Sequence, residues 1–210
     1  MRNIISLVKM QFENLFSLNR TFLAMIGISV LIPFVIPEMA TYAVGIIVIA
    51  FTNITVGREK ACNIDNLVRT LPIKVNEYIL SRYVFGIIGI FISIGIMSIV
   101  AIFLNGSPYI SVESVIISAL VIGSVVVGII TPIVTILGPE KGKIVVIILT
   151  VLPLMFTMKL PELLSDININ ILNKNILFLL IMLVTILIMY ISYLVTVNIY
   201  KRSEEHTSEL

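Results

Sequence analysis

Apolar residues in this chain fall into long runs separated by short polar intervals. The runs cover 21–37, 39–57, 83–104, 112–137, 144–158 and 176–200. Because a helix rises about 1.5 Å per residue, most of these runs are long enough for the roughly 30 Å hydrocarbon core of a bilayer. The fifth run is short and contains Pro153. The pattern predicts an all-α membrane protein with six transmembrane segments in a domain spanning 21–202, with a tight hairpin at Pro37 and Glu38.

The first twenty residues differ from the runs that follow, because charged residues interrupt them throughout. Their apolar residues recur at helical spacing, which predicts a stripe along one helix face: Ile4, Ile5, Val8, Phe12, Leu15 and Phe16. Such a helix lies in the membrane interface with its basic residues toward the lipid headgroups. We expect an amphipathic interfacial helix over 1–20. An ordinary cytoplasmic extension of the first segment is the alternative.

Composition agrees with membrane insertion and excludes several kinds of site. The 210 residues are 59% hydrophobic and 12% charged, with a mean hydropathy of +1.13, whereas about a quarter of the residues in soluble domains are charged. Cys62 and His206 are the only residues of their types, so an internal disulfide, a cysteine metal cluster and a histidine-based catalytic site are not expected. The middles of the six segments carry no ionisable residue, which argues against ion-coupled transport and intramembrane catalysis.

The distribution of basic residues predicts the orientation. Under the six-segment model, twelve of the fourteen Lys and Arg residues fall on the side of the termini, the loop 57–82 and the turn 138–143. Basic residues mark the cytoplasmic side, so we expect a multi-pass protein of the cell membrane with both termini in the cytoplasm. The net charge of +2 therefore needs no nucleic-acid partner. The segment 159–175 is too apolar for an exposed loop and is interpreted as an outer re-entrant element. The polar tail 203–210 is either disordered or a remnant of cloning.

The fourth segment contains small residues at helical spacing. Ala119 and Gly123, and again Ser124 and Gly128, are four residues apart. This spacing allows helices to approach closely. It fits contacts within one subunit and contacts between subunits equally well.

The loop 57–82 is the longest polar interval between two apolar runs. Ile64, Leu67, Val68 and Leu71 share one face of a short helix that Pro72 ends. A second helical pattern begins near Val75 and continues into the third segment. A short helix at the cytoplasmic surface can fill a groove on a soluble partner. The alternative is a solvated loop whose apolar face rests on lipid.

The stretch REKACNIDNLVRTLPIKVNEYILSRYVFG, residues 58–86, resembles the permease subunits of ABC-2 type exporters. It is most similar to the small six-span bacterial family that includes permeases for bacteriocins, lantibiotics and phenol-soluble modulins. The similarity consists of a charged segment, a Leu-Pro-Ile step and an aromatic run in which a basic residue opens the third span. The positions that carry it are Arg58, Glu59, Leu71, Pro72, Ile73, Tyr78, Ser81, Arg82 and Tyr83.

The resemblance implies an ABC-2 (type V) exporter-like fold and a permease for a hydrophobic or amphipathic substrate, such as a peptide toxin or antimicrobial peptide. It implies two copies of a separate ABC ATPase, which would use ATP and Mg²⁺, and a second permease, identical or paralogous. No cofactor is expected on this chain, since it has no phosphate-binding GxxxxGK[ST] motif. The implied ATPase-coupling residues are Arg58, Glu59, Ile64, Asp65, Leu67, Val68, Arg69, Leu71, Pro72, Glu140 and Lys141. The rival reading is a non-transporting immunity or scaffold protein of the membrane.

Overall fold

The computed structural model describes residues 2–17, 19–61, 73–104, 111–157 and 174–208. These residues form helices, with no strand among them. The helices are α1 (Arg2–Ser17), α2 (Asn19–Val35), a 3-10 turn (Pro37–Met39), α3 (Ala40–Ala61), α4 (Val75–Phe103), α5 (Val112–Thr157) and α6 (Lys174–Ser208). The expectation of an all-helical protein is confirmed for this part of the chain.

The predicted hairpin between the first two apolar segments is confirmed. The single 3-10 turn joins α2 to α3, and the two helices pack along each other. Phe22 and Phe51, which lie at similar distances along the chain from the turn, meet edge to face with ring centroids 5.0 Å apart. A contact of that symmetry requires antiparallel helices.

The helix α5 is the centre of the helix packing. It packs against α3, α4 and α6, while α2 packs against α3. The interior is filled mainly by small and branched side chains, such as Ala43, Val44 and Ile47 of α3 and Ala119 of α5. Small residues let the helix backbones approach closely, which in lipid is the main source of helix–helix attraction.

The small residues of the fourth segment make contacts within the chain. A methyl group on Gly123 would lie 2.7 Å from Cγ1 of Ile90 in α4, and one on Gly128 would lie 3.4 Å from Cγ2 of Ile188 in α6. These two glycines are therefore places where neighbouring helices of the same chain approach α5. Contacts within one subunit, one of the two possibilities that the spacing left open, are therefore present at both positions.

The predicted helix at the N-terminus is confirmed, but its buried face is rotated from the predicted stripe. Leu15 is buried as expected, whereas Ile5 and Phe16 are 70% and 62% exposed. Leu7 and Gln11 are buried instead. The reason is that α1 packs mainly against α4 and also against α3, and the face turned to these two helices is the one that is buried. The exposed Ile5 and Phe16 remain available to lipid.

The helix that contains the third apolar run begins before residue 83. The helix α4 starts at Val75, as the pattern behind Pro72 predicts. The preceding helix predicted over 64–71 lies outside the described residues, as does most of the outer element 159–175. The backbone of α6 continues to Ser208, so it is helical over most of the tail 203–210.

The turn predicted at 138–143 is wrong in the structure. The backbone is helical from Val112 to Thr157 without a break, and Gly138, Pro139 and Gly142 lie inside that helix. A proline inside a helix removes one backbone hydrogen bond and either kinks or ends the helix. Here the helix continues through Pro139. At about 1.5 Å per residue, the 46 residues extend about twice the depth of a hydrocarbon core. The fourth and fifth apolar runs are one helix here.

Three helical stretches among the described residues are long and apolar enough to cross a membrane: Val75–Phe103, Val112–Thr135 and Phe178–Lys201. Two shorter apolar helices, Phe22–Val35 and Tyr42–Gly57, complete the set. The outer surface of α6 is largely apolar and exposed, as at Leu179, Leu183 and Leu187. Exposed leucines of this number suit a lipid-facing helix, because a bilayer does not penalise them. The count of six spans stays a prediction.

Candidate functional site

An ion pair lies buried where α3 approaches its end and α4 begins. Arg82 Nη2 is 2.5 Å from Glu59 Oε2, and the two side chains are 4% and 1% exposed. Glu59 lies two residues before the end of α3, and Arg82 lies in the second turn of α4. Charges of this kind are costly to bury alone, so each one stabilises the other. The pair joins the two ends of the loop that the sequence singled out.

Tyr78 and Thr135 complete a cluster around the pair, called the ion-pair cluster below. Arg82 donates a hydrogen bond to the hydroxyl of Tyr78, one helical turn earlier, and Tyr78 donates to Glu59 Oε2 at 3.4 Å. The Arg82 guanidinium carbon also lies 4.5 Å from the centre of the Tyr78 ring, a cation–π distance. Arg82 Nη1 donates to Thr135 Oγ1 of α5 at 2.8 Å. Three helices are therefore tied together by one guanidinium.

A cavity of about 20 Å³ adjoins the ion-pair cluster. It is lined by residues of α1, α3, α4 and α5: Gln11, Thr52, Thr55, Val56, Glu59, Arg82, Phe85, Ile130, Thr131 and Val134. Gln11 of α1 is 1% exposed and reaches this cavity from the N-terminal helix. The entry helix therefore meets the ion-pair cluster inside the molecule.

A second polar contact joins α4, α5 and α6 and consists of uncharged groups. The Tyr83 hydroxyl is 2.6 Å from Ser192 Oγ and 2.9 Å from Thr196 Oγ1. Ser192 donates to the backbone carbonyl of Gly128 on α5. Gly128 has no side chain to hold Ser192 away, so the hydroxyl reaches the carbonyl. We call this group the hydroxyl seam.

The exposed ends of α1 and α4 share one further polar contact. Asn3 Nδ2 donates to Glu77 Oε2 at 3.0 Å, in the first turn of α4. Ile73 and Val75, just before and at the start of that helix, pack on the apolar cluster that contains Tyr78. The described residues in the C-terminal part of the loop 57–82 are thus held by both polar and apolar contacts.

The predicted coupling residues divide into three groups. Glu59 is buried in the ion-pair cluster, so its carboxylate does not face a soluble partner in this structure. Arg58, Glu140 and Lys141 lie in helical backbone, in α3 and α5. The remaining positions lie outside the described residues: Ile64, Asp65, Leu67, Val68, Arg69, Leu71 and Pro72. Their coupling role stays a prediction.

Sequence reasoning placed Glu59 in the polar loop and Arg82 in the helical pattern that opens the third segment, and gave no reason to pair them. It also missed Gln11, because an amide within an apolar stripe counts as polar, and Thr135, because a single threonine in an apolar segment is unremarkable. One indication was available, namely that Tyr78 and Arg82 are one helical turn apart. No group of three or more His, Cys, Asp or Glu side chains that could hold a metal ion occurs among the described residues.

A family model described as ABC-2 family transporter protein matches residues 3–201 of this chain. The chain belongs to the ABC-2 transporter family. The match covers nearly the whole sequence, so it includes most of the residues of every described helix. No curated protein and no solved structure shows a significant match.

Membership of this family identifies the chain as an ABC-2 type permease, the membrane component of an ABC transporter. Members are membrane components and not the catalytic ATPases, and they generally work with an ABC ATPase partner. The resemblance that the stretch 58–86 carries is thereby confirmed at the level of the family. The ion-pair cluster lies within that same stretch and its packing partners.

Proposed function

We propose that this ABC-2 permease forms the pathway of an ATP-driven exporter for a hydrophobic or amphipathic substrate, such as a peptide. The family match over residues 3–201 carries the proposal. The apolar character of the spans supports such cargo, since a pathway for ions needs polar or charged groups at membrane depth. Two permease chains, identical or paralogous, enclose the pathway.

The motive force comes from two copies of a separate ABC ATPase, which bind ATP and Mg²⁺. The ATPase contacts the permease at the cytoplasmic loop 57–82, with Leu67 and Arg69 on the helix predicted from the sequence to enter its cleft and Glu140 and Lys141 as a smaller contact on α5. The positive-inside bias supports this orientation, with both termini in the cytoplasm. ATP binding shifts the permease between inward- and outward-facing states only if the two states bind nucleotide differently.

The ion-pair cluster transmits movement of the loop to the spans. Glu59 and Arg82 bracket the loop and are held to each other at 2.5 Å, and Arg82 is bonded to Thr135 of α5. A displacement of the loop therefore moves the ends of α3 and α4 together and pulls on α5. Without the pair, the loop could move while the spans stayed in place.

The proposal is tested by co-purification of the full chain from its native membranes, followed by mass spectrometry of bound proteins. We expect an ABC ATPase to co-purify and its ATP hydrolysis to rise when both are reconstituted in vesicles. The double substitution Leu67→Ala with Arg69→Ala should abolish co-purification, because it removes the apolar and charged anchors of the loop helix. The matched control is Leu194→Ala with Lys201→Ala, on the exposed face of α6.

Unchanged co-purification of the Leu67 and Arg69 variant would contradict the coupling role of the loop. Recovery of a toxin or a scaffolded protein without any ATPase would instead favour a non-transporting immunity or scaffold protein. A separate comparison tests transmission through the ion-pair cluster. The variant Thr135→Val should keep the ATPase bound but lower its stimulation in vesicles, because Arg82 then loses its bond to α5 while the loop surface is unchanged.

A further inference from the structure

Two buried oxygen atoms have no hydrogen-bond donor among the described residues, and both belong to side chains that line the cavity beside the ion-pair cluster: Gln11 Oε1 and Glu59 Oε1. The two residues are 1% and 0% exposed, and both line the cavity. Each of these atoms is an acceptor. A buried acceptor left without a donor is destabilising, so a small molecule that donated to both atoms would remove this cost.

The two threonine hydroxyls of α3 that line the cavity already donate hydrogen bonds to backbone carbonyls. Thr52 donates to the carbonyl of Val48 at 3.1 Å, and Thr55 donates to the carbonyl of Phe51. A hydroxyl has one hydrogen, so neither can also donate to Gln11 or Glu59. The remaining walls of the cavity include the apolar side chains of Phe85 and Val134.

We propose that this cavity binds one water molecule, which donates one hydrogen bond to Gln11 Oε1 and the other to Glu59 Oε1. A cavity of about 20 Å³ exceeds the roughly 10–15 Å³ that a water requires by the same measure. Water is also the smallest neutral molecule with two donor hydrogens, which matches two acceptors. The site therefore takes a small, neutral, double donor.

Charge balance favours water over a monovalent cation of similar size. Glu59 is already neutralised by Arg82 at 2.5 Å. A cation in the same cavity would leave a buried excess positive charge beside a guanidinium, which is costly in a medium of low polarity. A neutral ligand adds no such charge.

The water fastens α1 to the ion-pair cluster. Apolar contacts also hold α1 in this region, such as Phe12 against Phe85 with ring centroids 5.0 Å apart. Those contacts would hold whether or not Glu59 is paired with Arg82. The bridge through water holds only while Glu59 keeps its position, so the docking of the N-terminal helix depends on the ion pair.

Gln11 is the only glutamine in the chain, which makes a direct test available. The full chain, labelled with ¹³C and ¹⁵N in glutamine alone, is reconstituted in lipid bilayers for solid-state NMR. Magnetisation transferred from water protons to the Gln11 side chain is then followed over time. We expect rapid transfer, as for a carbonyl in contact with water, despite the burial of Gln11.

The comparison variant is Val134→Ile, which adds one methyl group at the cavity wall, and its control is Val121→Ile, on an exposed position of the same helix. Val134→Ile should slow the transfer several-fold by displacing the water, whereas Val121→Ile should leave it unchanged. Val56→Ile fills the cavity from α3 and replaces Val134→Ile if that variant does not fold. Unfolding temperatures confirm that each variant compared is folded.

Two results would overturn the proposal. Slow transfer to Gln11 in the unsubstituted chain, equal to that of the Val134→Ile variant, would mean that no water contacts the amide. A shift of the Gln11 resonance when Na⁺ and K⁺ are replaced by N-methylglucamine at constant ionic strength would assign the site to a cation. Neither result depends on whether the chain is an exporter.

Discussion

The ion-pair cluster and the hydroxyl seam are both buried polar contacts between helices, but they differ in charge and in position. The cluster joins α3, α4 and α5 through a full ion pair at the ends of the loop 57–82. The seam joins α4, α5 and α6 through hydroxyl groups and one carbonyl. Adjacent residues of α4, Arg82 and Tyr83, contribute to the two contacts on different sides of the helix.

The two contacts differ in how much stability the protein loses when one partner is removed. Removing one partner of a buried ion pair strongly destabilises the protein. Interhelical hydrogen bonds in membrane proteins, by contrast, contribute about 0.6 kcal/mol on average. The ion-pair cluster, whose loss is costly to stability, lies where the loop meets the spans. The hydroxyl seam, whose loss costs less, lies where α6 packs.

The largest expected effect comes from breaking the ion pair. Arg82→Ala leaves Glu59 buried without its counter-charge, so the free energy of unfolding should fall by about 3–5 kcal/mol. The measurement is an SDS titration of the full chain in mixed micelles. Lys9→Ala is the control, because Lys9 is paired with Glu13 at 3.9 Å on the exposed surface. A loss no larger than that of the control would contradict a buried pair.

The next effect concerns the close approach of α4 and α5, on which both contacts depend. A methyl group on Gly86 would lie 2.6 Å from Cγ1 of Val127, and a β-branched side chain in a helix has little freedom to move away. Gly86→Ala should therefore lower the free energy of unfolding by about 1–3 kcal/mol in the same titration.

The matched control for that substitution lies on the same helix. Gly95 has nothing within 4 Å of an added methyl group, so Gly95→Ala should be neutral or stabilising, by up to about 1 kcal/mol, because alanine favours the helix. Equal effects of the two substitutions would mean that α4 and α5 do not approach closely at Gly86.

The smallest effect is expected at the hydroxyl seam. Tyr83→Phe removes the hydroxyl that meets Ser192 and Thr196 and should cost about 0.6 kcal/mol, at most about 2. Tyr190→Phe, on an exposed position of α6, is the control and should be neutral. If Tyr83→Phe costs as much as Arg82→Ala, the contrast between charged and neutral contacts fails.

Much of the fold follows from local patterns. The hairpin at Pro37 and the start of α4 at Val75 were predictable because a proline and a change of periodicity act within a few residues. The rotation of α1 was not, because six apolar residues define a broad arc and only the packing of α4 selects which part is buried. The continuous helix from Val112 to Thr157 was not predicted, because a Gly-Pro pair such as Gly138 and Pro139 can occur both in a turn and within a helix.

By itself, the sequence determined that this is a helical membrane protein with one polar loop among apolar segments, since composition and periodicity are properties of neighbouring residues. Its likeness to ABC-2 permeases came from the resemblance of the stretch 58–86 and from the family match. Only the tertiary structure decided that Glu59 and Arg82, 23 residues apart, form a buried pair and that Gln11 reaches the same cavity. The reason is that such contacts depend on how far each helix is rotated about its axis. Packing against several other helices sets that rotation, and no single segment contains the information.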